Sequence, residues 1–217
     1  MIKPILFNTD MVRAILEDRK TMTRRAVKLK YSNTHLEKFT NKCGTRLIEK
    51  QNEEPGVTTI KNPDRTTTHT LLAYIEKTPP YRPGDILYVR EAFCLFDADH
   101  VNNGVKYAYK ADATPESERA RKDFGYKWRP SIHMPREAAR IFLRVTDVQV
   151  ERLRSISDTQ CMAEGVACPW NVDLPDAFAE LWDSTIKPAD RTLYGWAANP
   201  WVWIISFERI SREEAAP

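Results

Sequence analysis

Apolar positions along the chain change period several times, and each change marks an element. Ile5, Leu6 and Phe7 form a short apolar run that predicts a strand. Thr9 follows where a helix N-cap belongs, and Met11, Val12, Ile15 and Leu16 share one helical face. Beyond Lys20 the period drops to two, with Thr21, Thr23 and Arg25 alternating with Met22 and Arg24, which predicts a strand. Residues 30–70 are polar and weakly periodic, as expected of an inserted hairpin or loop. Residues 71–75 predict a strand, and a Pro83-Gly84-Asp85 turn launches another at 86–89. Residues 105–109 form a further strand candidate, and the charged stretch 115–127 is loop or short helix. Pro130 and Pro135 keep the next segment irregular. Residues 140–150 then predict a long strand with Ile141, Leu143 and Val145 on one face. Ser157 with Gln160 forms a capping box and Gly165 a stop, which brackets a helix near 158–164. Phe178, Leu181, Trp182 and Ile186 mark a second helix, and Pro200 opens a last strand carrying Trp201, Trp203, Ile205 and Phe207 on one face.

Short strands with few helices predict an α+β, mainly β fold: a small barrel with helices packed at its ends. The 217 residues fit one domain over 1–212, with insertions near 30–70 and 97–128 and a tail at 213–217. No apolar run approaches the roughly 18–20 residues that span a bilayer, and the apolar start of MIKPILFNTD is too short for a secretory leader. The expected location is the cytoplasm. Cys43, Cys94, Cys161 and Cys168 include no CxxC pair, and His35, His69, His100 and His133 are scattered. Neither a zinc site nor a disulfide framework is expected, and no metal or cofactor is implied. The net charge of +3 conceals an asymmetry. Lys and Arg outnumber Asp and Glu by 14 to 8 in residues 1–70, but are outnumbered 7 to 12 in 141–217. A basic first third suits a polyanionic partner, and equally a solvated mixed surface.

The densest chemistry is Arg19-Lys20-Thr21-Met22-Thr23-Arg24-Arg25, at a helix-to-strand junction. In a strand Thr23 and Arg25 project to the same side, with Lys20 at the bend. A hydroxyl, an ammonium and a guanidinium suit a phosphate, a carboxylate or a developing oxyanion, and equally a solvated basic turn. Trp128, Arg129, His133 and Arg136 form an aromatic and basic cluster able to stack on and grip a nucleotide, or to anchor a loop. Glu91 ends a strand and points into the same mouth or pairs at the surface. Tyr194, Trp196 and Asn199 precede the last strand and are placed to cover a base.

ILFNTDMVRAILEDRKTMTRR, then PGDILYVRE, IFLRVTDVQVERL, a helix ending Ala163-Glu164-Gly165-Val166 and a closing aromatic strand resemble the ASCH domain. The order and spacing match over nearly the whole chain, the 30–70 and 97–128 stretches being extra, and resemble most the longer phage- or prophage-encoded members. One departure stands out: the family usually has Gly just before the basic pair, where this chain has Asp18. The resemblance implies a PUA-like pseudo-barrel that holds RNA or a modified nucleoside or nucleotide. One branch of the family removes the acetyl group of N4-acetylcytidine, and its lysine, threonine, arginine and glutamate correspond to Lys20, Thr23, Arg25 and Glu164. By that resemblance Thr23 attacks an amide carbonyl, a neutral Lys20 takes its proton, Arg25 holds the oxyanion and Glu164 positions or protonates the base amino group. Three functions follow as expectations. The first is an RNA or modified-nucleotide binding module, with Arg24 among its contacts; the second is a metal-independent amidohydrolase. The third, a ribonuclease, lacks an evident pair of histidines near the basic rim.

Overall fold

The structure, a computed structural model, describes residues 1–30, 34–41, 44–51, 75–96, 106–167 and 173–215. Cys43, Cys168, His69, His100 and most of the strand expected at 71–75 lie outside the described residues, as do parts of both insertions. The described chain is α+β and mainly strand. Strand β1 (Ile2–Leu6) leads through helix α1 (Thr9–Leu16) into β2 (Met22–Ala26). Strands β3 (Thr34–Asn41), β4 (Gly44–Gln51) and β5 (Ile75–Lys77) form a separate antiparallel sheet. Strand β6 (Ile86–Arg90) precedes a two-stranded hairpin of β7 (Phe93–Leu95) and β8 (Tyr107–Tyr109), and helix α2 (Pro115–Asp123) follows. After two 3-10 turns come β9 (Phe142–Arg152), α3 (Asp158–Ala163), α4 (Leu174–Thr185), α5 (Arg191–Tyr194) and β10 (Trp201–Ile210).

The main sheet has the order β1-β6-β9-β10-β2, with β1 and β6 parallel and the other pairs antiparallel. Here the barrel expected from the strand pattern is corrected: the sheet is open, and β1 and β2 are its two edges among the described residues. Phe7 is buried beside Phe207, their rings 6.2 Å apart. The Arg25 side chain, rather than a backbone ladder, reaches from β2 to the Leu6 carbonyl at 2.7 Å. An arginine and a core aromatic thus stand where further pairing would have closed the sheet.

The predicted faces are buried, with instructive differences. Helix α1 is capped by Asn8, not Thr9: the Asn8 side chain accepts from the Met11 N–H at 2.8 Å. Its buried Val12 and Ile15 each contribute about 1.5–3 kcal/mol of apolar transfer. Trp203, Ile205 and Phe207 of β10 face the main core, but Val202 and Ile204 on the opposite face are buried as well. They lie against Cys161 of α3 and Phe178 and Trp182 of α4. That double burial explains why the start of β10 reads as an unbroken apolar run rather than an alternation. The β3–β4 hairpin is docked rather than loose: Leu47 joins the main core, and Trp201 Nε1 donates to the Leu36 carbonyl at 3.1 Å. Ala215 is buried beside Met134 and Phe142, while Glu213 and Glu214 before it are exposed. No helix among the described residues is long and apolar enough to cross a membrane.

Candidate functional site

Two turns far apart in sequence meet at the base of β2. Helix α1 ends at Glu17, and Asp18 adopts a left-handed conformation (φ 56°). Aspartate is one of the few residues besides glycine that tolerate this conformation. The N–H groups of Arg19 and Lys20 then both donate to the Ala14 carbonyl, at 2.9 and 3.0 Å. Helix α3 has the predicted box: the Ser157 hydroxyl accepts from the Gln160 backbone N–H and the Gln160 side-chain Oε1 accepts from the Ser157 N–H. It ends at Gly165 (φ 85°), where a Cβ would stand 2.8 Å from Ala14 Cβ and 3.1 Å from Lys20 Cβ. Glycine is therefore required twice, for its backbone and for the close approach. Lys20 and Glu164 form an isolated antiparallel bridge, and the Thr21 N–H donates to the Ala163 carbonyl at 2.9 Å.

The bridge carries a buried charge cluster. Lys20 Nζ donates to Glu164 Oε2 at 2.7 Å and to the Glu164 carbonyl at 2.8 Å. Arg24 Nη1 lies 3.3 Å from Glu164 Oε1, and its Nη2 donates to Gln160 Oε1 at 2.9 Å. The Lys20 side chain has no exposed surface, that of Arg24 1% and that of Glu164 4%. Burial pushes the Lys20 ammonium below the ordinary lysine range, opposed by Glu164 and helped by Arg25 and Arg24. Arg24 Nε is buried without a hydrogen-bond partner. Arg25 stands beside this cluster over the Phe7 ring at 5.3 Å, its pKa lowered by burial against the pull of Tyr81 and Glu164. Two cations share one carboxylate, and a third stands close by. The group carries surplus positive charge.

A cavity of about 350 Å³ opens against the cluster, lined by Thr23, Arg24, Arg25, Glu164, Phe178 and Trp182 among others. The Thr23 hydroxyl makes no hydrogen bond within the described structure, although the residue is 2% exposed. Lys20 does not line this cavity; it stands behind Glu164 and holds the carboxylate from below. The basic turn and the acidic helix end thus meet in a direct ion pair, with the hollow beside it and not between them.

The remaining candidates lie elsewhere. Glu91 is buried under a bidentate pair with Arg140, at 2.9 and 3.1 Å, and burial raises its pKa against that pairing. Trp128 borders a different, larger cavity, its indole N–H donating to Glu118 at 2.6 Å. Arg129 exchanges backbone hydrogen bonds with Phe93, at 2.7 and 3.2 Å. His133 and Arg136 sit in the 3-10 turns before β9, and only Ser131 of that segment reaches the smaller cavity. The Trp196 ring packs edge-on to Phe178 at 6.1 Å, and Tyr194 accepts through its carbonyl from Trp182 Nε1 at 2.8 Å. Asn199 is left-handed (φ 46°), and its side chain accepts from the Arg154 N–H at 2.8 Å, a structural cap. Sequence reasoning missed Gln160, Phe178 and Trp182 as site residues. Helical spacing marks Phe178 and Trp182 as a buried face, and nothing in that spacing distinguishes a cavity wall from solid core.

Burial raises both described thiols, Cys161 to about 11. Native protein at pH 8 is therefore expected to leave Cys94 and Cys161 unmodified by iodoacetamide, and to expose them only on unfolding. Peptide mapping that finds either thiol alkylated at a free-cysteine rate would contradict the packing described.

No family model, curated protein or solved structure matches the chain.

Proposed function

We propose that the chain is an ASCH-type, PUA-like binding protein whose cavity beside Glu164 takes a nucleobase carried by RNA or a modified nucleoside. The observation that carries this proposal is the make-up of the cavity. Phe178 and Trp182 supply flat apolar surface, while the Thr23 hydroxyl, the Arg25 guanidinium and the Glu164 carboxylate supply donors and an acceptor within the same about 350 Å³. Bases are recognised in this way, stacked on rings and hydrogen-bonded along their edges. The surplus positive charge suits a ligand rich in carbonyl or phosphate oxygens.

Titration calorimetry with cytidine, N4-acetylcytidine and a short single-stranded RNA tests the proposal. At least one is expected to bind saturably, with affinity reduced tenfold or more by Thr23→Val or Arg25→Ala, and the RNA affinity falling with added salt. Binding that ignores both substitutions, or no binding by any of the three at millimolar concentration, would overturn it.

A second function, hydrolysis of the N4-acetyl amide, is favoured by one specific observation: Thr23, its hydroxyl uncommitted, shares a cavity with Glu164, and Glu164 is in turn bonded to Lys20, whose pKa burial depresses. Thr23 would form an ester with the acetyl group as the C–N bond to the base breaks, the base nitrogen gaining a proton, and water would release acetate. Chromatographic conversion of N4-acetylcytidine to cytidine, absent in Thr23→Val and in Lys20→Met, is the expected result for an enzyme. Binding without conversion leaves the binding role alone.

A further inference from the structure

A cavity larger than the one beside Glu164, about 680 Å³, is on another part of the molecule. It lies between the β7–β8 hairpin and α2, lined mostly from the stretch 97–128 and also by Cys94, Phe96 and Arg140. Its volume falls in the range of small-molecule sites. Helix α2 forms one wall, with a double capping box of Thr114 and Ser117 and Pro115 in its first turn. Ser117, Ala120, Arg121 and Phe124 recur on it at helical spacing, and all four border the cavity. In an ordinary amphipathic helix that stripe is buried against a core. Here no residue of α2 is buried, and Phe124 is 65% exposed.

The helix is nevertheless held in place. Trp128 Nε1 donates to Glu118, Arg121 is paired with Glu118 at 3.0 Å and donates to the Tyr126 carbonyl, and its guanidinium stands 5.3 Å from the Trp128 ring. The opposite wall is also built. Tyr107 and Tyr109 spend their hydroxyls on Glu137 and on the Ala138 carbonyl, the Tyr107 ring packs edge-on to Phe93, and both residues line the cavity. Arg140, the other guanidinium in the lining, is held by Glu91 and Asp112 and lies 4.0 Å from the Tyr109 ring centre.

We infer that this cavity is a second ligand site, independent of the one beside Glu164, for an uncharged aromatic heterocycle. Aromatic walls on opposing sides favour a flat π-system. Both guanidiniums of the described lining are already answered by carboxylates, so a phosphate entering here would find no uncommitted cation among the described lining residues and would meet Asp112. The Asp112 carboxylate, half exposed, is instead suited to accept from a ring or amino N–H.

Calorimetric titration of the full chain with adenosine, adenosine monophosphate and ribose tests the assignment. Adenosine is expected to bind saturably, the monophosphate at least tenfold more weakly, and ribose not at all. Ala120→Leu, which fills the cavity from an unburied helix face, is expected to weaken adenosine at least tenfold, as is Phe124→Ala, while Thr23→Val leaves it unchanged. Thermal melts of both α2 variants within a few degrees of wild type show that the fold persists. Three results would overturn the inference: no adenosine binding at millimolar concentration, equal affinity for the monophosphate, or binding lost in Thr23→Val but kept in Ala120→Leu. The last places the ligand in the cavity beside Glu164 and leaves the proposed function standing.

Discussion

Glu164→Ala is expected to destabilise the protein by roughly 3–5 kcal/mol, because it strands two buried cations at once. Lys20 Nζ keeps a backbone carbonyl and the Phe7 ring, and Arg24 keeps Gln160, the Met22 sulfur and the Phe178 ring, none of them a counter-charge. For a chain of this size each kcal/mol moves the melting temperature by about 2–4 °C, so the variant is expected to melt some ten degrees lower. Lys20→Met is the informative contrast. It removes a charge that burial already disfavours and leaves Glu164 paired with Arg24, so its effect is expected to be smaller. Denaturant unfolding of both variants checks the order; Glu164→Ala at less than about 1 kcal/mol would mean that the cluster is solvated.

The pH dependence follows from the lowered Lys20 pKa. Between its folded value and the ordinary 10.5, the unfolded chain binds more protons than the folded one, so stability contributed by this group rises with pH across that window. Glu164→Gln removes the strongest influence raising the folded value. The window then begins at lower pH, and the deficit of the variant against wild type is expected to shrink as the pH is raised from neutral into the alkaline range. A deficit independent of pH would show that the lysine stays charged.

Gly165→Ala is expected to have the next largest effect, about 3 kcal/mol. A left-handed L-residue costs roughly 1–2 kcal/mol, and overpacking against fixed neighbours adds about 1–3 kcal/mol. Ala14 Cβ, 2.8 Å from the added methyl, is anchored in α1 and has no rotamer by which to retreat. Gly84→Ala serves as the control: its φ of 87° is nearly the same, but nothing lies within 4 Å of the added atom. The difference between the two variants in urea midpoint isolates the contact between the α1 end and the α3 end. Equal losses would show that the two turns do not touch as described.

Much of this architecture is legible in the sequence, for local reasons. The α3 capping box, the glycine stop, the Pro83-Gly84-Asp85 turn and the period-two patterns of β2 and β9 are short-range signals, and each appears where its chemistry requires. The helix cap moved from Thr9 to Asn8 because both side chains are capable acceptors and only backbone geometry selects between them. The open edges of the sheet were not legible. Closure depends on whether β1 and β2 find each other, and a short apolar strand reads the same whether its far edge is paired or covered by Phe7 and Arg25. In the site, Lys20 and Glu164 were brought together by resemblance and not by spacing. That Lys20 supports the carboxylate from behind depends on burial across 144 positions of chain, which no local pattern encodes. Glu91 shows the same limit: its partner Arg140 is distant in sequence and carries no motif.

The strand order has a consequence for biosynthesis. The N-terminal β2 pairs only with β10 among the described strands, and β10 lies between it and β9. On the ribosome, β1, α1 and β2 therefore emerge long before the strand that joins β2 to the sheet has been made. Lys20 and Arg24, synthesised early, stay hydrated until α3 arrives with their counter-charge. The cavity beside Glu164 is thus a late product of translation, and a prematurely terminated chain would carry the basic turn without the pocket it helps to form.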